Sequence, residues 1–277
     1  MRFAAVGDVM VDVVGSALPP PGVRVHSAMS VRVGGSAVNA ARAAAEAGAA
    51  AVVVGRVGSD AAGALVLAEL EALGIEATVE RDPTLPTGAA VALGDDAIGP
   101  GVVAHRGANA RFSPEDVPAP LEADALFLSG FALFQEGSSE AAQAALDRFT
   151  GGWAGIDLAS PKLAAAATGL VGAAGYETVL LATAEEARAV TGEEPEQAAR
   201  TLAGRFAIAC IKLGADGALA AAGEHLERRA AEPVARTSPF GAGDAFGAAL
   251  LVALARGEGL GPALEAACAA GARAAGA

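Results

Sequence analysis

The chain has 277 residues, 53% of them hydrophobic and 18% charged, which is enough apolar side chain for a sizeable core and excludes disorder as the main state. Nineteen basic residues against thirty-two acidic give a formal charge of −13, which repels nucleic-acid backbones and anionic lipid. No uncharged stretch approaches the ~20 apolar residues of a membrane span, and the opening segment soon carries Asp8 and Asp12, unlike a signal peptide, so a cytoplasmic protein is expected.

Taken in chain order, residues 3–14 read as one opening strand. Residues 36–47 are helical by composition and stop at Gly48. A buried strand at 50–55 precedes a helix capped by Ser59-Asp60 and closed by Gly74. Further strands are expected at 125–128, 153–157, 178–181 and 206–211, with helices at 138–149, 184–190 and 196–204 between them. Apolar strands alternating with helices predict an α/β domain with a mostly parallel sheet covered on both faces. Two segments break the rhythm. Residues 15–33, with Pro19-Pro20-Pro21 and then alternating Val23 to Val33, and residues 87–106, around a turn-rich stretch at 94–101, read as antiparallel strands of a small flap. No linker, repeat or low-complexity tail divides the chain, so a single domain over 1–277 is expected. Cys210 and Cys268 have no CxxC spacing or nearby histidine, and read as buried small hydrophobes.

The sharpest chemical signal is Phe240-Gly241-Ala242-Gly243-Asp244 leading into an apolar helix. Such a turn directs free backbone N–H groups and the helix dipole at one point, where an anion can bind. Asp244, in the first helical turn, can take a proton from an alcohol while those amides hold a phosphoryl group. Spacing alone also allows a capped helix start without a ligand. A degenerate dinucleotide fingerprint fits poorly, because polar Arg236 to Pro239 stands where a strand belongs. No Walker loop is present. A second glycine pair, Gly34-Gly35, opens a helix that projects Asn39 from its first turn; the bland alternative is a tight turn with a surface Asn. Asp12, near the end of the opening strand, can accept bonds from hydroxyls at the carboxyl end of a parallel sheet.

In order and spacing, Asp12, Gly34 to Asn39 and Gly241 to Phe246 resemble the PfkB/ribokinase-like sugar kinases. The Gly58-Ser59-Asp60, Pro86-Thr87-Gly88, Gly107-Ala108-Asn109 and Lys212-Leu213-Gly214-Ala215-Asp216-Gly217 segments are similar too, so the likeness covers nearly the whole chain. It implies a ribokinase-like αβα sandwich with a small β-sheet lid, and a kinase moving the γ-phosphoryl of ATP to a sugar hydroxyl. Asp244 would be the general base, with the amides of Gly241, Ala242 and Gly243 as the anion hole. Asp12, Gly34, Gly35 and Asn39 would hold sugar hydroxyls. Lys212, Gly214, Ala215, Asp216 and Gly217 would border the nucleotide. Mg2+ would bridge the phosphates. The lid would exclude water, and two lids would pair their edges in a homodimer.

Departures from the family pattern shape further expectations. Ser238-Pro239-Phe240 lacks the carboxylate usual before the turn, which puts a monovalent-cation site in doubt. Thr183-Ala184-Glu185-Glu186 keeps the Glu of the family's Asn-x-x-Glu, so Glu186 is assigned to the metal through water, the alternative being a solvated helix-face residue. Asp157-Leu158-Ala159-Ser160 stands where Asp-x-Asn-x-Arg is common. The chain ends soon after the helix carrying Cys268, where members of the family usually continue, so either an unusually open adenine site or a shortened terminus is expected. His26 and His105 read as surface residues of the flap, His225 as part of a hairpin, and Arg111 as either solvated or the partner of an anionic sugar group. The alternatives to a sugar kinase are a nucleoside kinase of the same fold, disfavoured by a flap without aromatics, and a catalytically weak sugar-binding homologue.

Overall fold

The computed structural model describes residues 1–94, 101–170, 172, 175–234 and 240–276. Ser238-Pro239, and most of the turn expected at 94–101, therefore lie outside the described residues. The strands are β1 (Arg2–Val6), β2 (Met10–Gly15), β3 (Met29–Gly34), β4 (Ala50–Gly58), β5 (Glu76–Asp82), β6 (Gly88–Leu93), β7 (Gly101–His105), β8 (Ala125–Ser129), β9 (Trp153–Asp157), β10 (Glu177–Thr183), β11 (Ile208–Lys212), β12 (Ala218–Ala222) and β13 (His225–Arg229). The helices are α1 (Ser36–Glu46), α2 (Ala61–Ala72), α3 (Gly130–Leu133), α4 (Ser139–Arg148), α5 (Pro161–Ala164), α6 (Ala184–Thr191), α7 (Pro195–Ala203), α8 (Ala242–Ala255) and α9 (Leu260–Ala275).

The large sheet runs β13-β12-β11-β10-β9-β8-β1-β4-β5, parallel from β5 to β11 with an antiparallel hairpin at one edge. Successive side chains of a strand face opposite ways, and β1 serves both cores. Phe3 and Ala5 pack with α1, α8 and α9, whereas Ala4 and Val6 pack with α4. Helix α8 is buried all round from Ala245 to Leu254, as a helix clamped between a sheet and other helices must be. Burial of each of its leucines contributes about 1.5–3 kcal/mol, so the first turn of α8 is anchored on a rigid rod.

The expected opening strand is two strands in two different sheets. After β1, the Asp8 carboxylate is buried against Arg106, which donates to it at 3.0 and 2.7 Å. The Asn109 side chain then takes both the N–H and the carbonyl of Val9, at 2.8 and 2.9 Å, removing that peptide from any ladder. The chain turns there, and β2 starts the small sheet, ordered β3-β2-β6-β7. Asp12 consequently belongs to the small sheet and not to the carboxyl end of a parallel strand. This sheet is mixed, since β2 pairs parallel with β6, and of the alternating segment 23–33 only the part from Met29 is strand.

The second connection between the sheets is tied as well. Asp60 caps α2 through Gly63 and accepts from the hydroxyl and the N–H of Thr87, while the Thr87 hydroxyl accepts from Gly58 N–H. Asp60, Thr87 and Asn109 thus hold the small sheet on the large one.

Candidate functional site

The carboxyl ends of β9, β10 and β11 bring Asp157, Thr183 and Lys212 together below the start of α8. Lys212 Nζ donates to Asp157 Oδ2, and both side chains are largely buried. Burial alone would lower the Lys212 pKa, but Asp157, Glu186 and Asp244 outweigh it and raise the value, so the ammonium stays charged. Glu186 is buried at 4% exposure in a capping box: it accepts from Thr183 N–H at 2.7 Å, and its own N–H donates to Thr183 Oγ1 at 3.2 Å. Burial, then the charge of Asp157, raises its pKa. The solvated alternative for Glu186 is therefore overturned.

Gly241 is the N-cap of α8 with φ 88, a left-handed conformation that side chains disfavour. A Cβ there would also come within 3.2 Å of the Asn39 amide carbon. With no side chain in the way, Asn39 Nδ2 donates to Asp244 Oδ2 at 3.0 Å across 205 residues of sequence. Burial, then the charge of Asp157, pushes the Asp244 carboxyl up to about 7; Asn39 and Lys212 oppose this, and Asp12 adds to it. Asp12 and Asp244 are therefore close enough to feel each other.

Two cavities meet at this turn. One, of about 610 Å³, is lined by Lys212, Gly214, Ala215, Gly217, Ala242 and Gly243, and walled further on by Pro233, Val234, Cys268 and Ala272. The other, of about 300 Å³, is lined by Asp12, Arg32, Asn39, Arg42, Phe240 and Gly241. Asp244 lies between them, bonded to a wall residue of the smaller and influenced by a wall residue of the larger.

A family model described as the pfkB family carbohydrate kinase matches residues 2–277. The chain belongs to that family. No curated protein matches the sequence. Ribokinase from Thermotoga maritima is 25% identical, with a TM-score of 0.80, over 99% of this chain and 93% of that one. Aminoimidazole riboside kinase from Salmonella enterica, in complex with aminoimidazole riboside and an ATP analog, is 23% identical at a TM-score of 0.80, covering 100% and 94%. Adenosine kinase from Sinorhizobium meliloti is 19% identical at a TM-score of 0.82, covering 98% and 92%. The fold is that of ribokinase, and the protein is a sugar kinase of the phosphotransferase class.

Within this PfkB kinase the residues singled out in sequence are only partly brought together. Asp12, Asn39, Gly241, Ala242, Gly243, Asp244, Lys212, Gly214, Ala215 and Gly217 gather around the two cavities. Gly34 and Gly35 line neither; Gly34 leaves room for the Asp12 carboxylate, and Gly35, at φ 86, passes 2.3 Å from the Asp8 carbonyl oxygen at its Cβ position. Asp216 faces a neighbouring cleft with Thr183, Glu194 and Arg228. Arg111 lies away from the cavities, donating to Thr84 Oγ1 at 2.8 Å. His26 and His105 are exposed and line no described cavity, and His225 meets Glu227 at 3.0 Å. Arg32, which does face the smaller cavity, was not singled out in sequence; the alternation Val31-Arg32-Val33 was the available signal.

Proposed function

We propose that the enzyme transfers the γ-phosphoryl of ATP to a hydroxyl of a sugar or sugar derivative. ATP occupies the larger cavity, whose small glycine and alanine walls admit a flat base and offer backbone to phosphates. The acceptor occupies the smaller one, with Asp12 and Asn39 on its hydroxyls. Asp244 takes the hydroxyl proton, and a carboxyl pushed up to about 7 is a competent base near neutral pH. The amides of Gly241, Ala242 and Gly243, which have no intrahelical partners at a helix start, stabilise the transferring group. The observation that carries this reading is the Asn39–Asp244 bond, which sets the base between the two cavities.

Mg2+ would neutralise phosphate charge when bound. Among the described residues no three ligands cluster to cage a metal, yet Asp157 and Glu186 supply the one or two carboxylates that suit an ion held mainly by phosphates and water. Glu186 fits the water-mediated role. Lys212 supplies a fixed positive charge beside Gly243, so the reading needs no monovalent cation. The small sheet acts as a lid, and its exposed Met29, Val31, Val102 and Val103 pair with a second copy in a homodimer. A monomer in sedimentation at micromolar concentration overturns that pairing. ATP use puts the enzyme in the cytoplasm.

A nucleoside acceptor is the second reading, favoured by Phe240 in the acceptor wall. Measuring ADP formation across sugars and nucleosides tests both. Sugar-dependent ADP release is expected. A melting temperature that rises with sugar while no ADP forms identifies a binding protein and overturns the kinase assignment.

A further inference from the structure

The acceptor cavity is unusual in a chain of net charge −13, because three arginines, Arg32, Arg42 and Arg273, share its wall with only two acids, Asp12 and Glu46. Arg42 is already engaged, donating to the Val33 carbonyl at 3.1 Å and to Glu69 at 2.7 Å. Arg32 is not. It stands opposite Asp12 in the β2–β3 ladder, and salt bridging to that neighbour would be its simplest role. Among the described residues no such ion pair forms. The Asp12 carboxylate lies instead over Gly34, its Oδ2 2.0 Å from where a Cβ on that glycine would sit. Arg32 Nε is shut off from water and has no hydrogen-bond partner among the described residues. That closed-off N–H is an unfavourable feature of the wall. The side chain as a whole is half-buried, faces the cavity and makes no hydrogen bond or ion pair among the described residues, which leaves its terminal nitrogens for an acceptor that arrives with the ligand. Arg273, in the last turn of α9, is exposed and also lacks an ion pair among the described residues.

We propose that this site selects an acceptor bearing an anionic group, a carboxylate or a phosphate, which Arg32 binds inside the cavity with Arg273 assisting at its mouth. This rests on reading the smaller cavity as the acceptor site. The planar fork of a guanidinium fits both anions, where an ammonium would act only as a point charge. Asp12 and the part of the Asn39 amide not bonded to Asp244 are left to hold hydroxyls, so the acceptor is a sugar acid or a sugar phosphate in preference to a neutral sugar or a nucleoside. Glu46, exposed at the end of α1, keeps the mouth from attracting anions of every kind.

The test compares ADP formation from neutral hexoses and pentoses, the matching aldonic and keto-deoxy acids, and the matching sugar phosphates, in wild type, Arg32→Gln and Arg32→Lys. The best anionic acceptor is expected to exceed the best neutral one in kcat/KM by at least about 10-fold. Arg32→Gln raises KM for that anion by about 10- to 100-fold, the range expected for a charged hydrogen bond, and changes kcat by less than about threefold. Lys at 32 restores more for a phosphate than for a carboxylate, which separates the two anion classes. Arg273→Gln lies at an exposed position that leaves the core intact, and raises KM for the anion by a few-fold. ADP formed from neutral sugars as readily as from anions overturns the proposal and leaves the kinase standing. Equal losses on neutral and anionic acceptors in Arg32→Gln also overturn it, because they assign Arg32 to Asp12 alone. No ADP from any acceptor overturns the acceptor-site reading itself.

Discussion

The two cavities that meet at the start of α8 are built from opposite materials. The larger is walled mostly by glycine, alanine, valine and proline, with Lys212 and Glu232 as its charged members. The smaller is walled by Asp12, Arg32, Asn39, Arg42, Glu46 and Arg273. Backbone and apolar surface suit a ligand common to many enzymes, while charged side chains along the small sheet and its neighbouring helices suit the ligand that differs. One helix start serves both, since Gly241 and Ala245 face one side and Ala242, Gly243 and Phe246 the other.

The sharpest way to break this division is at the residue on the boundary. Asp244→Asn is expected to cut kcat by about 10²- to 10⁴-fold while acceptor KM moves by less than about threefold, because the proton acceptor goes and the pocket stays. Steady-state kinetics decide it, and near-normal turnover removes Asp244 from the chemistry. On the nucleotide side, Lys212→Met leaves Asp157 buried and uncompensated. A loss of about 3–5 kcal/mol in urea unfolding is expected, largely recovered by the double variant Lys212→Met/Asp157→Asn. An unchanged midpoint would mean that the pair is not buried in solution.

The pH dependence sharpens the same boundary. Since Asp244 titrates at about 7 and Asp12 at about 6, kcat/KM should fall as pH drops below 7, and Asn39→Ala should move that limb upward by removing a bond to the ionised carboxylate. Stability runs the other way. A carboxyl whose folded pKa is raised gives its full contribution below the unfolded value of 3.8, and loses it as pH climbs to about 7. Asp244→Asn should therefore gain in melting temperature over wild type between pH 4 and pH 7 and plateau above. A flat difference would refute the shift. The smallest effect concerns the loop after β9, where Ala159 adopts φ 65 and its N–H donates to Asp157 Oδ1 at 2.9 Å. Ala159→Gly should raise the melting temperature by about 1–3 °C by removing left-handed strain, net of glycine's extra chain entropy.

Much of the large sheet was legible because its strands are short apolar runs bounded by turn residues. The strand expected at 153–157 is β9 to the residue, and the capped helix after Ser59-Asp60 is α2. The small sheet was legible as a departure from rhythm but not as pairing. Nothing in residues 3–14 announces that Asn109, a hundred residues on, captures the Val9 peptide and splits the run. Glu186 illustrates the same limit. Its spacing from Thr183 writes a capping box, yet its burial depends on the packing of α6 against β10 and β11. Ala159 adopts a left-handed backbone that its residue type does not announce, since glycine or asparagine takes that conformation more readily.

Local chemistry determined what the chain could compute alone: the apolar alternation that makes a covered parallel sheet, and the glycine turn that frees amides beside Asp244 at a helix start. Those depend on neighbours in sequence. Which carboxylate meets which partner depended on folding, because Asn39 and Asp244 approach only where α1 packs on α8. Arg32 gains its meaning the same way: a strand's alternation says that it opposes its valines, and only the packing of β3 against α1, with the end of α9 across the gap, turns that side into the wall of a cavity.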